Sequence, residues 1–143
     1  MIYIAHRGNI NGPDPKHENS PAQIKLAISK KLCCEVDVWF VNGHFILGHD
    51  EPLYRVKETF LENEKLWCHA KNLAALEKML TNKSIHCFWH GQDHYALTSK
   101  GYIWTFPGHP VKERSIAVKL EPPAPISLKC YGICTDYPLL FQE

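Results

Sequence analysis

The chain has 143 residues, enough for one domain with a substantial core and too few for two. Sixteen lysines and arginines against fifteen acids give a formal net charge of +1, so no basic excess points to nucleic acid or an anionic membrane, and 45% hydrophobic content excludes a disordered chain. No apolar stretch reaches the ~20 residues of a membrane-spanning helix, and residues 1–5 run straight into a strand-like segment, so no secretion signal is expected and the expected location is the cytoplasm.

Residues 2–5 predict the first strand, and residues 8–17, with Gly12, Pro13 and Pro15, a turn-rich loop. A helix follows: Ser20 is suited to cap it, Pro21 to open it, and Gln23 completes a capping-box pattern. Ile24, Ala27, Ile28 and Leu32 form its apolar face. Residues 34–41 alternate as a strand, with Glu35, Asp37 and Trp39 on one side and Cys34, Val36 and Val38 on the other. Asn42-Gly43 signals a hairpin that returns through Phe45, Ile46 and Leu47. Residues 66–70 predict another strand, and Asn72 opens a second helix with Leu73, Leu76 and Leu80 on its apolar face.

Further strands are expected over 85–89, 102–106, 115–120 and 131–134. Pro107, Pro110, Pro122, Pro123 and Pro125 make most of 107–127 loop. The strand–helix–strand alternation of the first half predicts parallel pairing and an α/β fold. The second half offers strands and few helices. Cys33, Cys34, Cys68, Cys87, Cys130 and Cys134 lie in or beside apolar segments and form no CxxC pair. They read as buried free thiols, with a structural zinc site as the alternative.

Chemistry-bearing residues gather at the C-terminal ends of apolar strands: His6 and Arg7, then Glu35 and Asp37, then His69 and Lys71. In a parallel sheet this is the edge where sites form. Glu35 and Asp37, two apart on a strand, point the same way, and their mutual repulsion beside apolar neighbours calls for a hard divalent cation. Two exposed carboxylates on an edge strand are the alternative. His69 could add a third ligand, against a hydrogen-bonded core histidine, and Lys71 could hold a phosphoryl oxygen.

His49 depends on the hairpin. A two-residue turn pairs Val41 with His44 and sends His49 to the face opposite Glu35 and Asp37. A three-residue loop pairs Val41 with Phe45 and Asp37 with His49. Only the second register brings His49 onto the carboxylate face. His86, His90 and His94 are spaced by four, but over a strand and a turn, so they are expected to be loop and surface residues rather than a zinc site.

These pieces match a family. His6-Arg7-Gly8, Glu18-Asn19-Ser20, Glu35-Val36-Asp37-Val38, Asn42-Gly43 and His49-Asp50 occur in an order and spacing that resembles the opening half of the glycerophosphodiester phosphodiesterases. Residues 132–138 resemble that family's final strand, and Trp104-Thr105 the one before. The resemblance implies a phospholipase-C-like TIM barrel as one phosphodiesterase-like domain over 1–143. It implies His6 and His49 as an acid–base pair, Arg7 on the phosphate, Glu35 and Asp37 on the metal, Glu18 beside them, and Trp104 in the pocket wall.

Two departures matter. The family's third strand carries Glu-x-Lys where this chain has His69-Ala70-Lys71. Ligation by His69 would move preference among Mg²⁺, Mn²⁺ and Ca²⁺ toward Mn²⁺ and softer ions. The chain also falls short of the ~200 residues of an eight-fold barrel. A reduced barrel is therefore expected, with outer helices lost in the second half and a homo-oligomer covering the apolar surface they leave. The expected activity is metal-dependent hydrolysis of a small glycerophosphodiester-like substrate in lipid metabolism, by water or by an adjacent substrate hydroxyl through a cyclic phosphate, a scheme similar to that of the sphingomyelinase-D-type toxin lipases. The alternative is a catalytically degenerate barrel that binds a phosphoryl ligand or a partner protein.

Overall fold

The first crossover forms where its local signals lie. In the computed structural model, which describes residues 1–123 and 127–142, β1 (Ile2–His6) leads to α1 (Pro21–Ser29) and β2 (Cys33–Val41). Ser20 Oγ accepts the Gln23 backbone N–H at 3.2 Å. Gln23 does not close the capping box. Its Nε2 donates to the Gly8 carbonyl at 2.9 Å and ties the helix to the loop after β1. Ile24, Ala27 and Leu32 are fully buried, and Ile28 packs partly against them. Each such aliphatic side chain larger than alanine stabilises the fold by about 1.5–3 kcal/mol.

The hairpin strand β3 (His44–Leu47) and a further antiparallel strand β4 (Tyr54–Val56) follow, then one turn of helix, α2 (Glu58–Leu61), then β5 (Leu66–Ala70) and α3 (Leu73–Leu80). Asn72 caps α3 through Oδ1 on the Ala75 N–H at 2.9 Å. The same side chain bonds the Phe40 backbone, accepting its N–H at 3.2 Å and donating to its carbonyl at 3.0 Å. This clamp sets the rotation of the helix, which buries Ala75 and Met79, with Leu76 half-buried. The expected face of Leu73, Leu76 and Leu80 is corrected accordingly: Leu73 is 73% and Leu80 55% exposed.

The second half contributes β6 (Cys87–Phe88), β7 (Tyr95–Leu97), β8 (Ile103–Thr105), β9 (Ser115–Val118) and β10 (Gly132–Thr135), closing with α4 (Pro138–Gln142). Among the described residues no helix lies between β6 and β10. Pro125 falls outside the described residues; the other prolines of this stretch lie in loop.

Seven strands run parallel in the spatial order β8, β9, β10, β1, β2, β5, β6. The strands β3 and β4 extend this sheet antiparallel from β2, and β7 from β8. The sheet curls strongly. Phe88 and Trp104, from the two ends of the parallel order, have ring centroids 4.5 Å apart, and Trp67 lies 6.1 Å from Trp104. Ser99 N–H donates to the Cys87 carbonyl at 2.8 Å, so the ends almost meet. The result is a mixed α/β half-barrel with few helices.

Strand alternation gives the curl two apolar layers. Ile4, Cys33, Trp67, Phe88, Trp104, Ile116 and Cys134 fill the concave side. Ala5, Cys34, Val36, Val38, Cys68 and Ala70 pack on the convex side with the buried residues of α1 and α3. The six cysteines are free, five of them buried. Among the described residues no helix is long and apolar enough to cross a membrane.

Candidate functional site

His6, Glu35, Asp37 and His69 rise from the concave side at the C-terminal edge of β1, β2 and β5. Register aligns them: His6 lies opposite Glu35, and Asp37 opposite His69. Glu35 and Asp37 are buried, and the ligand atoms of Glu35, Asp37 and His69 all lie within 4.8 Å of one another.

The loop after β1 holds the carboxylates from above. Arg7 (φ 54°) and Asn19 (φ 63°) adopt left-handed backbone conformations, and Asn19 N–H donates to the Arg7 carbonyl at 2.9 Å. Asn19 then grips Asp37 twice, its Nδ2 donating to Oδ2 at 2.9 Å and its Oδ1 accepting the Asp37 backbone N–H at 2.8 Å. The Arg7 backbone N–H donates to Glu35 Oε2 at 3.1 Å. Its guanidinium lies between Glu18 (Nη1 to Oε2, 3.3 Å) and Asp37 (Nε to Oδ2, 3.6 Å). Glu18 Oε1 also accepts Asn9 Nδ2 at 3.0 Å. Glu18 thus orients Arg7, while Asn19 orients a carboxylate.

His69 is oriented from behind. Its Nε2 meets the His90 carbonyl at 2.9 Å. A carbonyl only accepts, so Nε2 carries the hydrogen and Nδ1 is the basic nitrogen. That nitrogen faces Asp37 Oδ1 at 3.4 Å and Glu35 Oε1 at 3.6 Å, charge-pair distances rather than aligned hydrogen bonds. A lone pair against two carboxylates is repulsive, so a proton or a cation belongs between them. With a proton, burial works against the charge, but the two carboxylates prevail and raise His69 to about 9. Burial likewise opposes the charge on Asp37, and His69, Asn19 and Arg7 together hold it down at about 2.

Asp37 Oδ1 is buried and receives no hydrogen bond. One unmatched carboxylate oxygen, a second carboxylate and an imidazole nitrogen braced by a backbone carbonyl form a donor set that fits a divalent cation.

His6 is fixed from the other side. Its Nδ1 bonds Asp136 Oδ1 at 2.8 Å, and the same oxygen accepts Asn9 Nδ2 at 2.8 Å. Nδ1 therefore carries a hydrogen, which leaves Nε2 turned toward Glu35 at 4.0 Å. Burial would lower the His6 pKa, but Asp136 and Glu35 outweigh it and the pKa stands above the ordinary value. The same contacts, against the burial of Asp136, hold that carboxyl below its usual range. Asn9, Asn19 and Asp136 were missing from the expected set. Asp136 was within reach of the sequence: it directly follows β10, the strand beside β1, where Ala5 pairs with Thr135.

The other expected residues are not in contact with this cluster. The hairpin takes the two-residue register, Val41 opposite His44, and not the one that would carry His49 onto the carboxylate face. The ladder ends at Leu47. Gly48 breaks it, donating its N–H to the Asp37 carbonyl at 3.1 Å and accepting Trp39 Nε1 at 2.6 Å. His49 follows with its side chain 37% exposed and Nδ1 bonded to Asp50 at 2.8 Å. Lys71, half-buried, is fixed by its backbone N–H on the Val38 carbonyl at 2.8 Å. Trp104 is 5% exposed and packs on Phe88, so it belongs to the core layer beneath the cluster rather than to a pocket wall. His86, expected on a loop or surface, is buried and bonds Thr98 at 2.7 Å.

No protein-family model, curated protein or solved structure matches this chain.

Proposed function

We propose that the chain is a metal-dependent phosphodiester hydrolase built on a reduced TIM-barrel-like scaffold of the phospholipase-C-like phosphodiesterase type. The observation that carries this reading is the cluster of buried Glu35 and Asp37 and half-buried His69, with Asp37 Oδ1 unmatched and the Arg7 guanidinium alongside, at the C-terminal edge of a parallel sheet. Glu35, Asp37 and His69 would hold the cation. When bound, a divalent ion supplies Lewis acidity and neutralises phosphoryl charge.

The protein groups supply the rest. Arg7, braced by Glu18, binds a non-bridging phosphate oxygen. Lys71 adds positive charge at the end of β5. His6 exchanges a proton at Nε2, the nitrogen left free by Asp136, with the attacking or departing oxygen. His49, which the two-residue hairpin register leaves off the carboxylate face and bonded to Asp50, would act as the second proton carrier only after the loop beyond Gly48 turns it onto the cluster. Either water or a substrate hydroxyl next to the phosphoester serves as nucleophile.

The test is hydrolysis of bis(p-nitrophenyl) phosphate by chelated protein resupplied with single ions. Mn²⁺ or Co²⁺ should restore more activity than Ca²⁺, because His69 softens the donor set. A clear Ca²⁺ preference counts against ligation by His69. A second reading, a phosphoryl-binding module without turnover, draws support from the His49 pairing with Asp50; it predicts phosphate-dependent thermal stabilisation and no hydrolysis with any ion.

A further inference from the structure

A second feature of the same sheet edge concerns which phosphodiester would bind. Beginning at His69, a run of rings crosses the C-terminal ends of β6 and β8 and the N-terminal end of the antiparallel β7. The His90 ring lies 6.5 Å from His69, Phe106 lies 6.0 Å from His90, and His109 lies 6.1 Å from Phe106. His94 stacks on His109 at 3.8 Å with 21° between the planes.

These rings are held. His90 Nε2 bonds the Asp93 carbonyl at 2.7 Å. The His109 backbone N–H donates to the Phe106 carbonyl at 3.3 Å, and the Phe106 N–H to the His94 carbonyl at 2.9 Å. They are not core. The buried rings of this region are Trp67, Phe88 and Trp104, one layer below, whereas His90, Phe106 and His109 are half-exposed and His94 is exposed. Phe106 and His109 also line a cavity of about 290 Å³, with Lys119 among its lining residues. That volume suits a one- or two-ring group rather than a drug-sized molecule.

A phosphodiester held between Arg7 and the carboxylate cluster would extend one of its two alcohol groups past His69. In that direction it meets half-exposed aromatic rings, where a flexible neutral alkyl alcohol gains little and a planar ring stacks well. We propose that the shelf formed by His90, Phe106 and His109 is the subsite for the aromatic alcohol of a small phosphodiester, a nucleoside or aryl ester rather than a purely alkyl one. This rests on the hydrolase reading and sharpens it.

The experiment compares thymidine 5′-(p-nitrophenyl phosphate) with the uncharged-headgroup alkyl ester glycerophosphoglycerol as substrates for the Mn²⁺-loaded wild type, Phe106→Leu and His109→Ala. The wild type should favour the nucleoside ester in kcat/KM, and in both variants that selectivity ratio should fall about tenfold through KM, the scale of one stacking contact. A wild-type preference for glycerophosphoglycerol, or a ratio unmoved in both variants, overturns the inference. If neither ester is cleaved, the hydrolase reading fails, and the shelf is judged by binding alone. Adenosine 5′-monophosphate should then bind at least tenfold tighter than glycerol 3-phosphate and weaken in both variants, and equal affinities would overturn it. His109→Ala, on a half-exposed loop, guards against a folding defect in Phe106→Leu.

Discussion

Single side chains at this site are arranged in braced pairs, each with a consequence of its own. Asp136 acts on His6 by charge and hydrogen bond, so Asp136→Asn removes the charge and keeps the shape. The His6 titration followed by NMR should move down from its raised position, because burial then acts with less opposition. An unmoved His6 titration would contradict the assignment of Asp136 as its positioning residue. His69 carries a stability prediction for the metal-free protein. Its folded pKa of about 9 lies above the ordinary 6.5, so the charged pair stabilises fully below pH 6.5, and the contribution is lost as pH rises through about 9. The difference in unfolding free energy between wild type and His69→Gln, measured by denaturant titration with chelator present, should therefore shrink between pH 6.5 and 9. A difference that stays flat over that window, and grows only as pH rises toward 6.5 from below, would mean His69 is buried neutral.

At the level of elements, the clamp from Asn72 joins the end of β2 to the start of α3 through three hydrogen bonds. Asn72→Ala should cost about 2 kcal/mol, a lost helix cap plus unmatched backbone groups at Phe40, read as a lower denaturation midpoint at unchanged slope. The cap itself was legible in the sequence, as was the cap of α1, because Asn and Ser announce themselves before a helix. Its second role was not, since Phe40 is 32 residues away. The carboxylate face of β2 followed from period-two alternation alone. The buried face of α3 did not follow from its leucines, because the clamp sets the rotation. β4, α2 and β7, three or four residues each, are too short to display any period. The hairpin register was left open between two turns, and the structure selects the tight one, with Asn42 (φ 51°) and Gly43 (φ 77°) both left-handed as a two-residue turn requires. At Gly48 (φ 154°) an added Cβ would run into the Glu51 carbonyl oxygen. Gly48→Ala should therefore disturb the loop that carries His49.

For the whole molecule, helices cover only one flank of the half-barrel. The convex side of β1, β2 and β5 is covered by α1 and α3, whereas on the other flank Leu97 is 75% exposed and Tyr95 46%. Both line an apolar hollow of about 450 Å³ with Ile103 and Pro110. This uncovered flank predicts self-association: light scattering at micromolar concentration should give a multiple of the 16.4 kDa chain mass, and Leu97→Lys should return it to the monomer. A monomeric wild type would contradict that expectation without touching the site. The sheet edge that gathers the cluster was foreseeable from His6, Glu35, Asp37 and His69 on successive apolar strands joined by helices. The almost closed curl was not, since it depends on Phe88 and Trp104 meeting across the barrel from strands of two and three residues.

The central claim is that this edge cleaves phosphodiesters with a metal and with His6. It is tested most directly by turnover of bis(p-nitrophenyl) phosphate and glycerophosphocholine in Mg²⁺, Mn²⁺ or Ca²⁺, wild type against His6→Ala. Metal-dependent cleavage that chelation abolishes, and that His6→Ala lowers by ~10²-fold or more, is the predicted result. Absence of turnover with every ion, or activity indifferent to His6→Ala, would contradict it.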